Sequence, residues 1–148
     1  MIFDPETMDA TACYKLLIGS IVPRAIGWAS TLSADGVANL APFSFFTAVS
    51  RKPPMVSLTI QPRSDRRRLK DTLVNVQATG EFVVNIVSLP QANAMHASSV
   101  EFEPEVDEFE AVGVSKAPSH LGEAFARGGC AGFDGVSPGT DRPSGRGR

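Results

Sequence analysis

VPRAIGWASTLSADGVANLAPFSFFTAVS, Val22 to Ser50, reads as strand, turn and strand in register. Ala25 to Leu32 alternates as a strand, with Ile26, Trp28 and Ser30 on one face. Ser33-Ala34-Asp35-Gly36 follows, and Asp-Gly between two apolar runs is a hairpin signal. Val37 to Leu40 begins the return strand. Pro42, which has no N–H, is expected to interrupt it and to mark an edge, a bulge or a bend. Phe43 to Val49 continues extended until Lys52-Pro53-Pro54 breaks the run.

Outward from this stretch, strands alternate with short helices. Asp9 is placed to cap a helix through Tyr14 and Leu17 that ends near Gly19. Met55 to Ile60 alternates as a strand. Leu69, Leu73 and Val76 recur at helical spacing, with Thr79-Gly80 as the stop. Phe82 to Val87 is a further strand, and Ser88 is an N-cap for a helix through Ala92 and Met95. The acidic run Glu101 to Glu110 closes with a short helix stopped by Gly113. Hairpins without a regular βαβ rhythm predict a small, mostly antiparallel barrel with helices packed outside it. Trp28 and Tyr14 are expected in its core.

At 148 residues, 43% hydrophobic and 20% charged, the chain has the composition of one folded domain. A net charge of −2 gives no reason to expect nucleic acid or a membrane surface as partner. No apolar run reaches the ~18 residues of a spanning helix. The first residues lack the pattern of a secretory leader, and Cys13 and Cys130 have no metal spacing. These features predict a cytoplasmic protein with free thiols. From Leu121 the character changes. The segment to Arg148 holds eight of the 13 glycines and sparse apolar residues without period. It is expected to be a disordered tail that does not continue the fold.

Two segments carry chemistry. Arg63 to Thr72, RSDRRRLKDT, puts four arginines and a lysine around the start of a helix, where anions are favoured over cations. A bound phosphate would reconcile the charges. Taken alone, the run is a solvated basic loop as readily as an anion site. In the second segment, Ser30 and Thr31 put hydroxyls at a strand end. Asn39-Leu40-Ala41-Pro42-Phe43-Ser44 offers a disrupted ladder whose free backbone groups can read the polar edge of a planar ring, walled by Phe43, Phe45 and Phe46. The chain has no dinucleotide-binding GxGxxG, no P-loop, no GxSxG and no zinc spacing.

VPRAIGWASTLSADGVANLAPFSFFTAVS, KPPMVSLTI, LKDTLVNVQATGEFVVNIV and ASSVEFEPEVDEFEAVG, in that order, resemble the flavin reductase-like family of FMN-binding split barrels over about residues 12 to 118. The resemblance implies a mostly β split barrel with short helices, partial over residues 1–120, followed by the tail at 121–148. It implies a homodimer binding FMN or FAD, with NADH or NADPH as co-substrate and an oxygenase or other electron acceptor as partner. The function implied is flavin reduction by hydride transfer to N5. A non-catalytic FMN electron carrier, or a truncated inactive product, is the alternative. By the same resemblance Ser30 and Thr31 lie near the flavin tail, Asn39, Leu40, Ala41, Pro42, Phe43 and Ser44 line the ring, and Lys70, Asp71 and Thr72 meet the phosphate. No catalytic side chain and no metal ligand are implied. Thr47 stands where the family usually has Asn, and Arg63 to Arg68 replaces a more glycine-rich loop. Past residue 120 the chain departs from the family pattern, as a truncation or a shifted frame would.

Overall fold

A computed structural model of the chain describes residues 2–64, 68–119, 123–127 and 132–136, the strands at 126–127 and 132–136 by backbone alone. His120, Cys130, Asp65 to Arg67 and most of the 121–148 segment lie outside the described residues. The elements are mostly strands joined by short helices.

A four-stranded antiparallel sheet forms the centre, in the order β2, β1, β5, β8. Strand β1 is Gly27–Leu32, β2 is Ala38–Phe43, β5 is Phe82–Asn85 and β8 is Gly132–Val136. The β1–β2 hairpin turns at Ser33 to Gly36. Gly36 sits at φ +82°, which its missing Cβ allows, and the Ser33 hydroxyl accepts the Val37 N–H at 3.0 Å.

Pro42 does not interrupt β2. The strand runs to Phe43, with Pro42 paired to Trp28. The reason is orientation. The Leu40 N–H points away from β1, toward Glu108. Pro42, two residues on, faces the same way, so its missing N–H removes no ladder bond. A bend at Ser44–Phe45 separates β2 from β3 (Phe46–Arg51), which pairs with β4 (Pro54–Leu58) as a second hairpin.

Alternation along β1 and β2 divides the core in two. Ala29, Phe43, Phe82 and Val84 face α2 (Asp71–Thr79) and the β3–β4 hairpin, whose Phe46, Val56 and Leu58 pack against them. Trp28, Ala38 and Leu40 face the other way, under α3 (Ala92–Ala97) and α4 (Glu108–Ala111), with Phe109 buried among them. The Trp28 indole donates to the Ser98 hydroxyl at 2.9 Å. Gly27 lets the Phe46 ring approach, since a Cβ there would stand 2.8 Å from ring carbons.

Helix α1 (Ala10–Ser20) is capped by the Asp9 carboxylate, which accepts from Thr11 and Ala12 N–H at 2.9 and 3.0 Å. Its C-terminal carbonyls receive the Arg24 guanidinium. Tyr14 lies outside the core, half exposed, edge-on to Phe45. Helix α2 stops at Gly80, left-handed at φ +76°. Its first residue is Asp71, so Leu69 precedes the helix. Strands β6 (Lys116–Ala117) and β7 (Ala126–Arg127) pair with each other. Strands β7 and β8 fall in the segment where no strand period is readable. Ladder bonds are made by the main chain, so a glycine-rich strand pairs without an apolar pattern.

Candidate functional site

Among the described residues strand β2 is one edge of the central sheet, and α2 packs beside it. Between them opens a shallow cleft with a cavity volume of ≈ 40 Å³, lined also by residues 98–102 and by Glu108. Asn39, Ala41, Pro42, Phe43, Lys70, Asp71 and Thr72 all line it. A neighbouring groove of ≈ 170 Å³ shares Pro42, Phe43 and Lys70 and adds Ser44, Tyr14 and Phe45. Two segments that are remote in sequence thus form one continuous surface.

Ser30, Thr31 and Leu40 lie behind that surface, fully buried. The Ser30 hydroxyl donates to the Phe125 carbonyl and accepts from the Asn85 amide. The Thr31 hydroxyl donates to Asn39 Oδ1 at 3.2 Å and accepts from the Asn75 amide at 3.0 Å. The Thr72 hydroxyl donates to the same Asn39 oxygen at 2.7 Å. This buried network ties β1, β2 and α2 together and fixes where the α2 N-terminus meets the β2 edge.

The basic run is met by the acidic one. Arg63 is only 6% exposed. It pairs with Asp71 at 2.8 Å and donates to the Phe102 carbonyl at 2.7 Å. Lys70 pairs with Glu101 at 3.2 Å and Arg68 with Glu103 at 3.2 Å. Glu101 also accepts from the Ser64 backbone N–H and hydroxyl, at 3.0 and 2.7 Å. The Ser64 hydroxyl bond, more than any other cause, brings the Glu101 carboxyl down from 4.5 to about 2.

Glu108 is a site residue that the sequence reading missed. Its side chain is 5% exposed, and its carboxylate accepts the outward Leu40 N–H at 2.7 Å. Asn39 hydrogen bonds to it as well. Burial pushes its carboxyl from 4.5 up to about 7; the Leu40 bond opposes the rise and Asp71 adds to it. Asp107, whose carboxylate accepts the Glu110 N–H, starts the helix that aims Glu108 inward. That cap is the only signal in the sequence that sets Glu108 apart from its acidic neighbours.

The donor set fits the phosphate end of a flavin mononucleotide. A carboxylate already sits where a backbone N–H, a hydroxyl and an ammonium converge, and those groups also bind phosphate oxygens. Among the described residues no group of three or more His, Cys, Asp or Glu is placed to hold a metal ion. Nor is any helix among them long and apolar enough to cross a membrane.

Residues 18–140 match the flavin reductase like domain family, and the chain belongs to that family. It is 45% identical over 124 residues to an uncharacterized protein of Aquifex aeolicus, covering 84% of this chain and 63% of the relative. Nitrilotriacetate monooxygenase component B of Bacillus cereus superposes with a TM-score of 0.79 at 29% identity, over 86% of this chain and 62% of that one. The 2-nitrobenzoate 2-nitroreductase NbaA of Pseudomonas fluorescens gives 0.76 at 28%, over 88% and 61%. The fold is therefore that of the flavin reductase-like split barrels. The chain spans about three-fifths of the length of these relatives.

Proposed function

We propose that the chain binds FMN in the β2–α2 cleft and works as a flavin-dependent oxidoreductase with NADH or NADPH as hydride donor. The observation that carries the reading is the meeting of a strand edge with a cationic, hydroxyl-bearing helix start around one cleft. Lys70 and Ser64 would hold the phosphate. The outward Pro42 carbonyl and the Ser44 backbone beyond the strand would face the ring, with Ala41 beside them, and Phe43 with Tyr14 and Phe45 would wall the neighbouring groove. Ser30, Thr31, Leu40 and Thr72 would act from behind, by holding β1, β2 and α2 in place. The bound flavin supplies the redox chemistry, accepting a hydride at N5. The chain needs only to bind, orient and shield it, so no side chain is assigned as acid or base.

A homodimer is part of the same reading. Val49 and Met55 on the β3–β4 hairpin, Leu17 on α1 and Ile21 just after it are large apolar side chains about half exposed, as expected of residues awaiting a partner. The free Cys13 thiol is in keeping with a reducing, cytoplasmic setting. A partner oxygenase as electron acceptor is favoured because one structural neighbour is named as component B of a monooxygenase.

The test is binding and turnover on one preparation of the full chain. FMN and riboflavin titrations should show FMN held more tightly, and Lys70→Ala should remove most of that advantage while sparing riboflavin. NADH or NADPH oxidation that depends on flavin marks the enzyme, and its absence with FMN bound marks the carrier. A protein that binds neither flavin sinks both readings.

A further inference from the structure

We propose that Glu101 is an internal stand-in for the ligand's phosphate, and that its displacement sets how well the chain tells phosphorylated from unphosphorylated ligands. The flavin reading above supplies the ligand's identity; the anion cradle stands on geometry alone. Glu101 Oε1 accepts the Ser64 N–H at 3.0 Å and faces Lys70 Nζ at 3.2 Å. Oε2 accepts the Ser64 hydroxyl at 2.7 Å, and the Ser64 N–H also reaches it at 3.3 Å. One carboxylate therefore engages the Ser64 N–H, the Ser64 hydroxyl and the Lys70 ammonium together.

The occupant is free to leave. Glu101 and Lys70 are 27% and 28% exposed, so a solvent-borne anion reaches them. The backbone on either side is pinned without Glu101. Arg63 donates to the Phe102 carbonyl, and Ser98 is held by the Trp28 indole and the Met95 carbonyl. Rotation of one side chain empties the cradle while the strap from 98 to 102 stays in place.

The carboxylate remains ionised at working pH, since its carboxyl titrates near 2. An entering phosphate must exchange with it, because two anions on the same donors repel. A ligand without phosphate leaves Glu101 where it is. The exchange therefore lowers the affinity of FMN and leaves that of riboflavin unaltered. It also keeps the Ser64 and Lys70 donors partnered while no ligand is bound.

The experiment uses Glu101→Gln and Glu101→Ala, with Glu103→Gln as a control that removes a neighbouring charge of the same sign. Thermal unfolding of the full chain is followed with inorganic phosphate against chloride at equal ionic strength. FMN and riboflavin dissociation constants are measured on the same variants. E101Q and E101A should gain a phosphate-dependent rise in Tm that wild type lacks. Their ratio of FMN to riboflavin affinity should rise roughly fivefold, the size of one exposed ion pair. E103Q should behave as wild type. Should E101A not fold, the near-isosteric E101Q carries the test. The proposal is overturned if both Glu101 variants respond to phosphate as wild type does, or if E103Q gains as much as they do. Flavin binding with an unchanged ratio refutes the stand-in and leaves the flavin reading intact. A phosphate response without any flavin binding supports the cradle and refutes the flavin reading.

Discussion

Replacing Glu108 by Gln should flatten a pH dependence of stability that wild type carries. The folded Glu108 carboxyl titrates at about 7 against an ordinary 4.5. Between those values the folded chain holds a proton that the unfolded chain has released, so stability falls as pH rises. The contribution is fully present below pH 4.5 and lost as pH passes 7. At about 1.4 kcal/mol per pH unit, the loss is about 3 kcal/mol. Arg63 faces the group and favours its ionised form, while Asp71 opposes it, so both stay in the comparison unchanged. The substituted amide retains an oxygen for the Leu40 N–H but cannot titrate. Urea unfolding of both proteins at pH 5, 6, 7 and 8 gives the measurement. Wild type should lose about 2.5 kcal/mol more than Glu108→Gln across that range, since part of the term is already gone at pH 5. A constant offset between the proteins is immaterial, because other titrating groups are common to both and cancel. Parallel curves, with the same difference at pH 5 and pH 8, would refute the reasoning and make Glu108 an ordinary carboxylate.

Arg63→Ala should cost about 3 kcal/mol in chemical denaturation, since it strips a nearly buried guanidinium from both Asp71 and the Phe102 carbonyl. Arg63→Lys should recover less than half, because one ammonium cannot reproduce the planar fork that spans two partners. Gly27→Ala should cost about 1–3 kcal/mol by driving a methyl against the Phe46 ring. Adding Phe46→Leu should return part of that loss, and a double-mutant cycle that adds without interaction would show that the contact is not the cause.

The fold was legible where local chemistry decides it. The Asp35-Gly36 turn, the Asp9 cap, the Gly80 and Gly113 stops and the Ser88 cap each need only a few adjacent residues, and each is present. Ser88 opens a 3-10 turn at Leu89–Gln91 before α3, so the cap was legible and the helix type was not. Pro42 misleads for a related reason. Whether a missing N–H matters depends on which way that N–H would point, and only the pairing of β2 with β1 settles it. Tyr14 reads as core from its size alone, yet α1 has no buried residue, because its apolar side chains are dispersed around the helix.

The candidate site was legible in its parts and not in its charge balance. Cations at the start of α2 violate the preference of a helix N-terminus, and an external anion is one way to satisfy it. The chain has already found another. Asp71 takes Arg63, Glu101 takes Lys70 and Glu103 takes Arg68, two of these partners lying more than thirty residues away in an acidic run that reads as an independent solvated stretch. Sequence spacing holds no information about that pairing, since it arises where residues 98–108 cross beside α2. The consequence for ligand binding is specific. A phosphate arriving at Lys70 meets an existing ion pair, so its affinity reflects an exchange between two anions rather than the neutralisation of a bare cation. Of the described donors in the run, Arg63 is too buried and too tightly shared to take part and Arg68 is engaged by Glu103, whereas Ser64 and Lys70 converge on one carboxylate that a phosphate would replace.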